Sequence, residues 1–296
     1  NVPFQLLSSQ NLTTDEWATC AEQGGFHMVR MNLNTFARHG VFDNPKYENL
    51  IVSKLSDKEL VKRSKVFPYQ LYTAYLSATS VPQKVSNALQ DAMEVATLNV
   101  PSFGKVLVGV DYSGSMRAPV TGSRGSATTN VTCNMVASLM AACVLRNSDA
   151  TVYRFDTHAT RISLNPRDSV ITNAKAIGAN GGGTDCGSFI KKALEDNVKA
   201  DVVICLSDTE SWANHYGGNS TNLLREWDRF AAKNPGAKLI CIDLAANTTT
   251  QAPNRKNVLN IGGFSDEVFT VIKGFLEGDH GATVWRQKIE ASLNPA

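Results

Sequence analysis

Two periodicities divide this chain. Between residues 13 and 98, apolar side chains recur every three or four positions, the spacing that lines one face of a helix. That spacing predicts helices at about 14–23, 25–39, 44–54, 57–64, 68–78 and 82–98. Thr13-Thr-Asp-Glu16 has the form of a capping box ahead of Trp17. Pro45, Pro68 and Pro82 stand near helix starts, where a missing N–H removes no hydrogen bond. Short helices with brief connections read as a fragment of a helical-repeat layer, which needs neighbours to bury both of its faces.

From residue 103 the pattern changes to alternating strand and helix. Apolar runs predict strands at about 105–111, 151–156, 201–207, 238–243 and 257–261, with a short piece near 160–164. Helical patterns fall at about 130–146, 168–175, 187–197, 221–233 and 265–276. Such alternation implies an α/β fold with a doubly wound, mostly parallel sheet. The organisation expected is a helical-repeat segment over 1–100, an α/β domain over 103–277 and a tail, 278–296, whose helix at about 283–293 packs back on the body. The Gly/Ser/Thr-rich stretch from Arg117 to Thr129 reads as a mobile loop beside the strand ends.

Composition narrows the classes without choosing one. The 296 residues are 43% apolar and 19% charged, as in an ordinary soluble globular protein. No apolar run approaches the roughly 20 residues that span a bilayer, so no membrane role is expected. A net charge of +2 gives no global attraction to nucleic acid, although Arg30 to His39 and Lys62-Arg63-Ser64-Lys65 are locally basic. The start, Asn1-Val-Pro-Phe, has no initiator Met and no basic-then-apolar leader, and reads as trimmed from something longer. Six cysteines (20, 133, 143, 186, 205, 241) show no CxxC pairing, and three lie in apolar runs. A reducing, cytoplasmic location is therefore expected.

The candidate chemistry sits where strands end. Asp111-Tyr112-Ser113-Gly114-Ser115 follows the apolar run 105–110, Gly181-Gly-Gly-Thr184-Asp185 precedes a helix, and Asp208 ends another apolar run. Ligands of open α/β sheets bind beyond the carboxyl ends of the strands. Asp111, Ser113, Ser115, Thr184 and Asp208 would offer hard oxygen donors there, a set suited to Mg²⁺ or Mn²⁺. The plainer reading is that the serines cap a turn and Asp208 caps a helix. Asp185 either helps neutralise the site or caps the helix near Gly187, and Asp156 reads as a turn former. His158, His215 and His280 lack partners at metal-ligand spacing. Trp212 belongs either to a partner-binding surface or to packing under its own loop.

Enzymatic alternatives find little support. An aspartyl-phosphate phosphatase needs a second acid two residues after its Asp, and position 113 is Ser. No Gly-Lys-Ser/Thr follows the glycine run, so there is no P-loop. No Ser/His/Asp set or carboxylate pair can be read from spacing.

The three metal segments, in this order, resemble the metal-ion-dependent adhesion site of von Willebrand factor A domains. The upstream stretches Arg30-Met-Asn-Leu-Asn-Thr-Phe-Ala-Arg-His-Gly-Val-Phe42 and Val66 to Tyr75 resemble the end of the helical ring of Ro (TROVE-domain) proteins, as do Gly-Gly-Thr-Asp-Cys186 and Leu-Ser-Asp-Thr-Glu210. The resemblance to A domains implies Ser113 and Ser115 as direct metal ligands, with Asp111, Asp208 and Thr184 acting directly or through water. An acidic side chain of a partner would complete the shell. The resemblance to Ro proteins implies a ring that holds small noncoding (Y-like) RNAs and admits misfolded RNA ends, in bacteria alongside an exoribonuclease.

On a continuous helix over 25–39, Arg30, Asn34 and Arg38 would share one face with His39 nearby, suited to phosphate and base-edge contacts. The alternative is a solvated face or polar contact with the next repeat. Lys62, Arg63 and Lys65 are a solvated turn or a phosphate contact. The expectation is a non-catalytic RNA-binding protein with a metal site, and the competing one is a metal-dependent protein-interaction module that binds no RNA.

Overall fold

The computed structural model describes residues 10–122, 129–178, 181–208, 222–245, 251–253, 255–264 and 267–278. The predicted helix at 283–293, Trp212, His215, His280 and positions 123–128 of the Arg117–Thr129 loop lie outside the described residues. The chain divides into two compact units, with the main boundary between Val100 and Pro101.

The first unit is helical: α1 (Thr14–Gln23), α2 (Phe26–Met31), α3 (Leu33–Arg38), α4 (Pro45–Ser56), α5 (Lys58–Ser64), α6 (Pro68–Ser77) and α7 (Gln83–Ala96). The capping box at Thr13 forms, with the Glu16 carboxylate accepting the Thr13 N–H at 2.8 Å. Val85, Ala88, Leu89, Ala92, Met93 and Ala96 give α7 a buried stripe of helical spacing, against which α4, α5 and α6 pack. The Lys54 ammonium donates to the carbonyls of Ala21, Glu22 and Gly24 at 2.7–2.8 Å, satisfying the C-terminal end of α1.

One predicted helix is not continuous. The span 25–39 breaks at Asn32 (φ −108°, ψ 13°) into α2 and α3. The Asn32 side-chain amide donates to the Met28 carbonyl at 2.8 Å, the acceptor an unbroken helix would give to the Asn32 N–H. That N–H turns to Val29 instead. Short polar side chains compete with the helix for backbone partners in this way.

The second unit is the predicted α/β fold. Its strands are β1 (Lys105–Asp111), β2 (Asp149–Phe155), β3 (Ala159–Arg161), β4 (Val202–Ser207), β5 (Lys238–Asp243) and β6 (Val258–Gly262). They form one sheet in the order β3-β2-β1-β4-β5-β6, in which only β3, at an edge, runs antiparallel. The helices are α8 (Cys133–Asn147), α9 (Val170–Ile177), α10 (Ser188–Glu195), α11 (Asn222–Lys233) and α12 (Val268–Leu276). β1 is buried along Val106–Asp111, as expected of a strand covered on both faces. The chain leaves β1 for β2 on one side and later returns to β4 on the other, so the switch point lies between the ends of β1 and β4.

Helix α8 packs on β1, β2 and β4. A separate cluster joins Leu107, Phe155, Phe189, Trp227 and Phe230 beneath α10 and α11. Phe189 stacks on Phe155, ring centroids 5.2 Å apart, and covers Gly109. All six cysteines are free, and all but Cys20 are buried. No described helix is long and apolar enough to cross a membrane.

A methyl group at Gly109 would lie 2.6 Å from the Phe189 ring. Gly109→Ala is expected to destabilise the protein by about 1–3 kcal/mol through overpacking, read as a lower midpoint in urea. Adding Phe189→Leu to that variant should recover part of the loss.

Candidate functional site

The strand ends at the switch point carry buried polar residues in an otherwise apolar sheet. Asp111 closes β1 at 0% exposure, with Ser113, Thr184, Ser207 and Asp208 also buried. A buried carboxylate needs hydrogen-bond donors, and Asp111 has them. The Ser113 N–H reaches one oxygen at 2.9 Å and the Ser207 hydroxyl reaches the other at 2.6 Å. The Asn134 amide of α8 donates to the Asp111 carbonyl at 3.4 Å. Burial nonetheless pushes the Asp111 carboxyl up to about 6, the hydrogen bonds from Ser113 and Ser207 pulling against it and the Asp208 charge adding to the rise.

Beyond Asp111 the chain turns sharply. The Ser113 and Ser115 hydroxyls come within 3.3 Å of each other, and a single 3-10 turn follows at Ser115–Arg117. The Gly114 N–H donates to the Gly182 carbonyl at 3.3 Å, joining this loop to the glycine-rich turn that carries Thr184. Gly182 sits at φ 140°, a conformation that favours glycine, where a Cβ would also crowd the Asp156 carboxylate at 3.3 Å. Asp208 follows the last residue of β4. Ser113 thus touches both Asp111 and Ser115, while Thr184 and Asp208 stand on segments bonded to this loop and strand end.

The donor chemistry is two buried carboxylates and three hydroxyls. Among the described residues, no three His, Cys, Asp or Glu side chains group as a metal cluster. Hydroxyl oxygens must therefore supply much of any coordination here. An oxygen-only set of that kind fits a hard cation such as Mg²⁺ better than a thiophilic metal.

Neighbouring candidates have structural roles. Asp185 accepts from the Gly187 N–H at 2.9 Å at the start of α10 and from the Asn222 amide at 2.7 Å, which is the capping alternative. Asp156 closes the turn after β2, accepting the His158 N–H at 2.8 Å. Tyr112 stacks under the Arg154 guanidinium, 5.1 Å from ring centroid to carbon. The flank of the Arg117–Thr129 loop is tied down, with the Val120 N–H donating to the Val131 carbonyl at 2.9 Å.

The helical unit replaces the single helix expected over 25–39 by two, with Arg30 on α2 and Asn34 and Arg38 on α3. Arg30 donates to the Gln70 carbonyl at 3.1 Å and Asn34 to the Ser77 carbonyl at 2.9 Å, so both tie their helices to α6. Arg38 is exposed and leans on Thr35, and the His39 ring packs on Trp17 with centroids 5.3 Å apart. Lys62 pairs with Glu59 at 3.2 Å near the end of α5, where Arg63 and Lys65 are also exposed.

Sequence reasoning missed Ser207, Cys186 and Lys54. A signal for Ser207 was available: it is a polar residue two positions after Cys205 and four after Val203, on the core-facing register of a buried strand.

The comparisons agree with this architecture. A family model described as the Ro60 vWA domain matches residues 105–276, and one described as the TROVE domain matches residues 5–145. The RNA-binding protein RO60 of Deinococcus radiodurans is 26% identical over 296 residues, covering 94% of this chain and 54% of the relative. That of Caenorhabditis elegans is 29% identical over 267 residues, covering 85% and 40%. The crystal structure of the D. radiodurans Ro (Rsr) protein aligns with a TM-score of 0.74 at 25% identity, over 90% of this chain and 56% of that one. This chain spans about half the length of the curated relatives it matches. A TROVE match, followed by a Ro60-type A domain that covers more than half of its residues, means that the chain belongs to the Ro60 (TROVE–von Willebrand factor A) family.

Proposed function

We propose that this chain binds RNA as a non-catalytic component of a Ro-type ribonucleoprotein, and that its A domain holds Mg²⁺ or Mn²⁺ at the ends of β1 and β4. The observation that carries the RNA reading is the resemblance, over nearly the whole chain, to relatives named RNA-binding proteins. Small noncoding RNAs and the single-stranded ends of misfolded RNAs are the proposed substrates. Binding through phosphates falls to the exposed cations Arg38, Lys62, Arg63 and Lys65 rather than to Arg30 or Asn34, whose donors serve the helical unit.

For the cation, Ser113 and Ser115 would be direct ligands, and Asp111, Asp208 and Thr184 would hold it directly or through water. Bound there, a divalent ion would offer an open position to an acidic side chain of a protein partner, an exoribonuclease being one candidate. A second reading, a metal-dependent interaction module without RNA binding, draws support from the internal use of Arg30 and Asn34.

Anisotropy of a labelled structured RNA with a single-stranded 3′ tail separates the two. The RNA reading predicts affinity that falls steeply with salt and is unchanged by EDTA. Arg38→Ala and Arg63→Ala should each weaken binding and flatten the salt slope by about one unit. Arg30→Ala should instead lower the melting temperature. Absence of binding at low salt would leave the interaction module standing.

The carboxyl of Asp111 gives a pH test in EDTA. Its folded pKa, about 6, exceeds the unfolded value, so the folded state keeps the proton more tightly. That contribution to stability is present below about pH 4 and lost as pH rises through about 6. In metal-free protein, the stability of Asp111→Asn relative to the wild type should therefore rise by about 1–3 kcal/mol between about pH 4 and pH 8. Added Mg²⁺ should raise the melting temperature of the wild type and leave that of Asp111→Asn unchanged.

A further inference from the structure

A second set of buried polar groups lies directly behind Asp111. The register that pairs Val110 with Leu206 sets Ser207 beside Asp111 across the β1–β4 ladder. Leu107, Gly109 and Asp111 alternate onto one face of β1, the face where Phe189 covers Gly109, and Val203, Cys205 and Ser207 do the same on β4. Ser207 therefore points toward Asp111. At 0% exposure its hydroxyl needs partners within the protein, and it has one on each side. It donates to Asp111 Oδ2 at 2.6 Å and accepts from the Cys186 thiol at 3.9 Å.

The direction of this relay is fixed by chemistry. A hydroxyl has one proton to give, and the carboxylate is the stronger acceptor, so the Ser207 proton lies toward Asp111. The thiol, a weak donor, fills the remaining acceptor site. Cys186 stands two residues after Thr184, and Ser207 stands immediately before Asp208. One chain of buried hydrogen bonds thus joins all three segments that carry the candidate ligands: the end of β1, the glycine-rich turn and the end of β4.

We infer that Ser207, backed by Cys186, is a positioning residue for the cation site: it fixes the rotation of the Asp111 carboxylate before any ion arrives. The inference rests on the cation site proposed above. With Ser113 N–H on Oδ1 and Ser207 on Oδ2, the carboxylate cannot turn without breaking a bond at one end. Partners behind the ligands of metal sites typically change affinity by about 10–100-fold when removed. Thr and Val at position 207 have nearly the same shape and differ in the hydroxyl, so they isolate the hydrogen bond from packing.

The test is Mn²⁺ titration of the EDTA-stripped, then dialysed, full chain, followed by the electron paramagnetic resonance signal of free Mn²⁺. Melting of each protein in EDTA is recorded alongside. Ser207→Thr should bind within about threefold of the wild type, Ser207→Val about 10–100-fold more weakly, and Asp111→Ala not measurably. Cys186 supplies a second variant pair: Cys186→Ala should weaken binding about threefold, the worth of one weak thiol hydrogen bond, and Cys186→Ser should not. If Asp111→Ala binds Mn²⁺ like the wild type, the cation site itself is wrong. If Asp111→Ala loses the ion while Ser207→Val binds as tightly as Ser207→Thr, the site stands and the positioning role is overturned. Lower melting of Ser207→Val with unchanged Mn²⁺ affinity overturns it equally, since packing alone would produce that pattern.

Discussion

A carboxylate buried at the end of the central strand is costly to keep, and the surroundings of Asp111 follow from that cost. An isolated charge moved out of water loses several kcal/mol of hydration even after the protein relaxes. Asp111 is held by a backbone N–H from its own loop and a hydroxyl from the next strand, and these two bonds set the geometry around it. Even so, burial outweighs them and lifts its pKa, with Asp208 adding repulsion. Two carboxylates this poorly solvated repel each other, and either a proton on one of them or a cation beside both would relieve it. That cost is the physical reason for proposing a cation site at the strand ends.

Sheet topology makes the arrangement possible. Because β1 lies at the centre and the chain reaches β2 on one side and β4 on the other, the loops after β1 and β4 diverge and leave a crevice. The glycine-rich turn is tied to the loop after β1 by the Gly114–Gly182 bond. Fully buried strands hold the ends in register, with Gly109 allowing Phe189 to lie flat against β1. The rigid core and the polar rim are thus consecutive residues of the same strands.

Much of this was legible in the sequence, and the reasons differ by element. The strands of the second unit could be read because parallel, doubly covered strands are near-continuous apolar runs, as in Val202–Ser207. The candidate ligands could be read because Asp111, Ser113 and Ser115 are neighbours in sequence. What escaped were contacts made across the sheet and between helices. Ser207 looked like the tail of a hydrophobic strand, and its meaning depends on pairing with a residue 96 positions earlier. The span 25–39 looked like one helix because periodicity does not register a single Asn competing for a carbonyl, and Arg30 and Asn34 looked free because their partners, Gln70 and Ser77, lie about 40 residues away. The same long-range bonds are why the proposed phosphate contacts are assigned to the cations left exposed on α3 and α5.

The central claim is that Asp111, Ser113, Ser115, Thr184 and Asp208 converge on one divalent cation. Crystals grown with Mn²⁺ and measured near the manganese absorption edge test it most directly. A single strong anomalous peak is expected at the ends of β1 and β4, within about 2.0–2.3 Å of the Ser113 and Ser115 hydroxyl oxygens, as octahedral coordination by hard ligands requires. A well-ordered site with no anomalous peak, or a peak held by other residues, would contradict it.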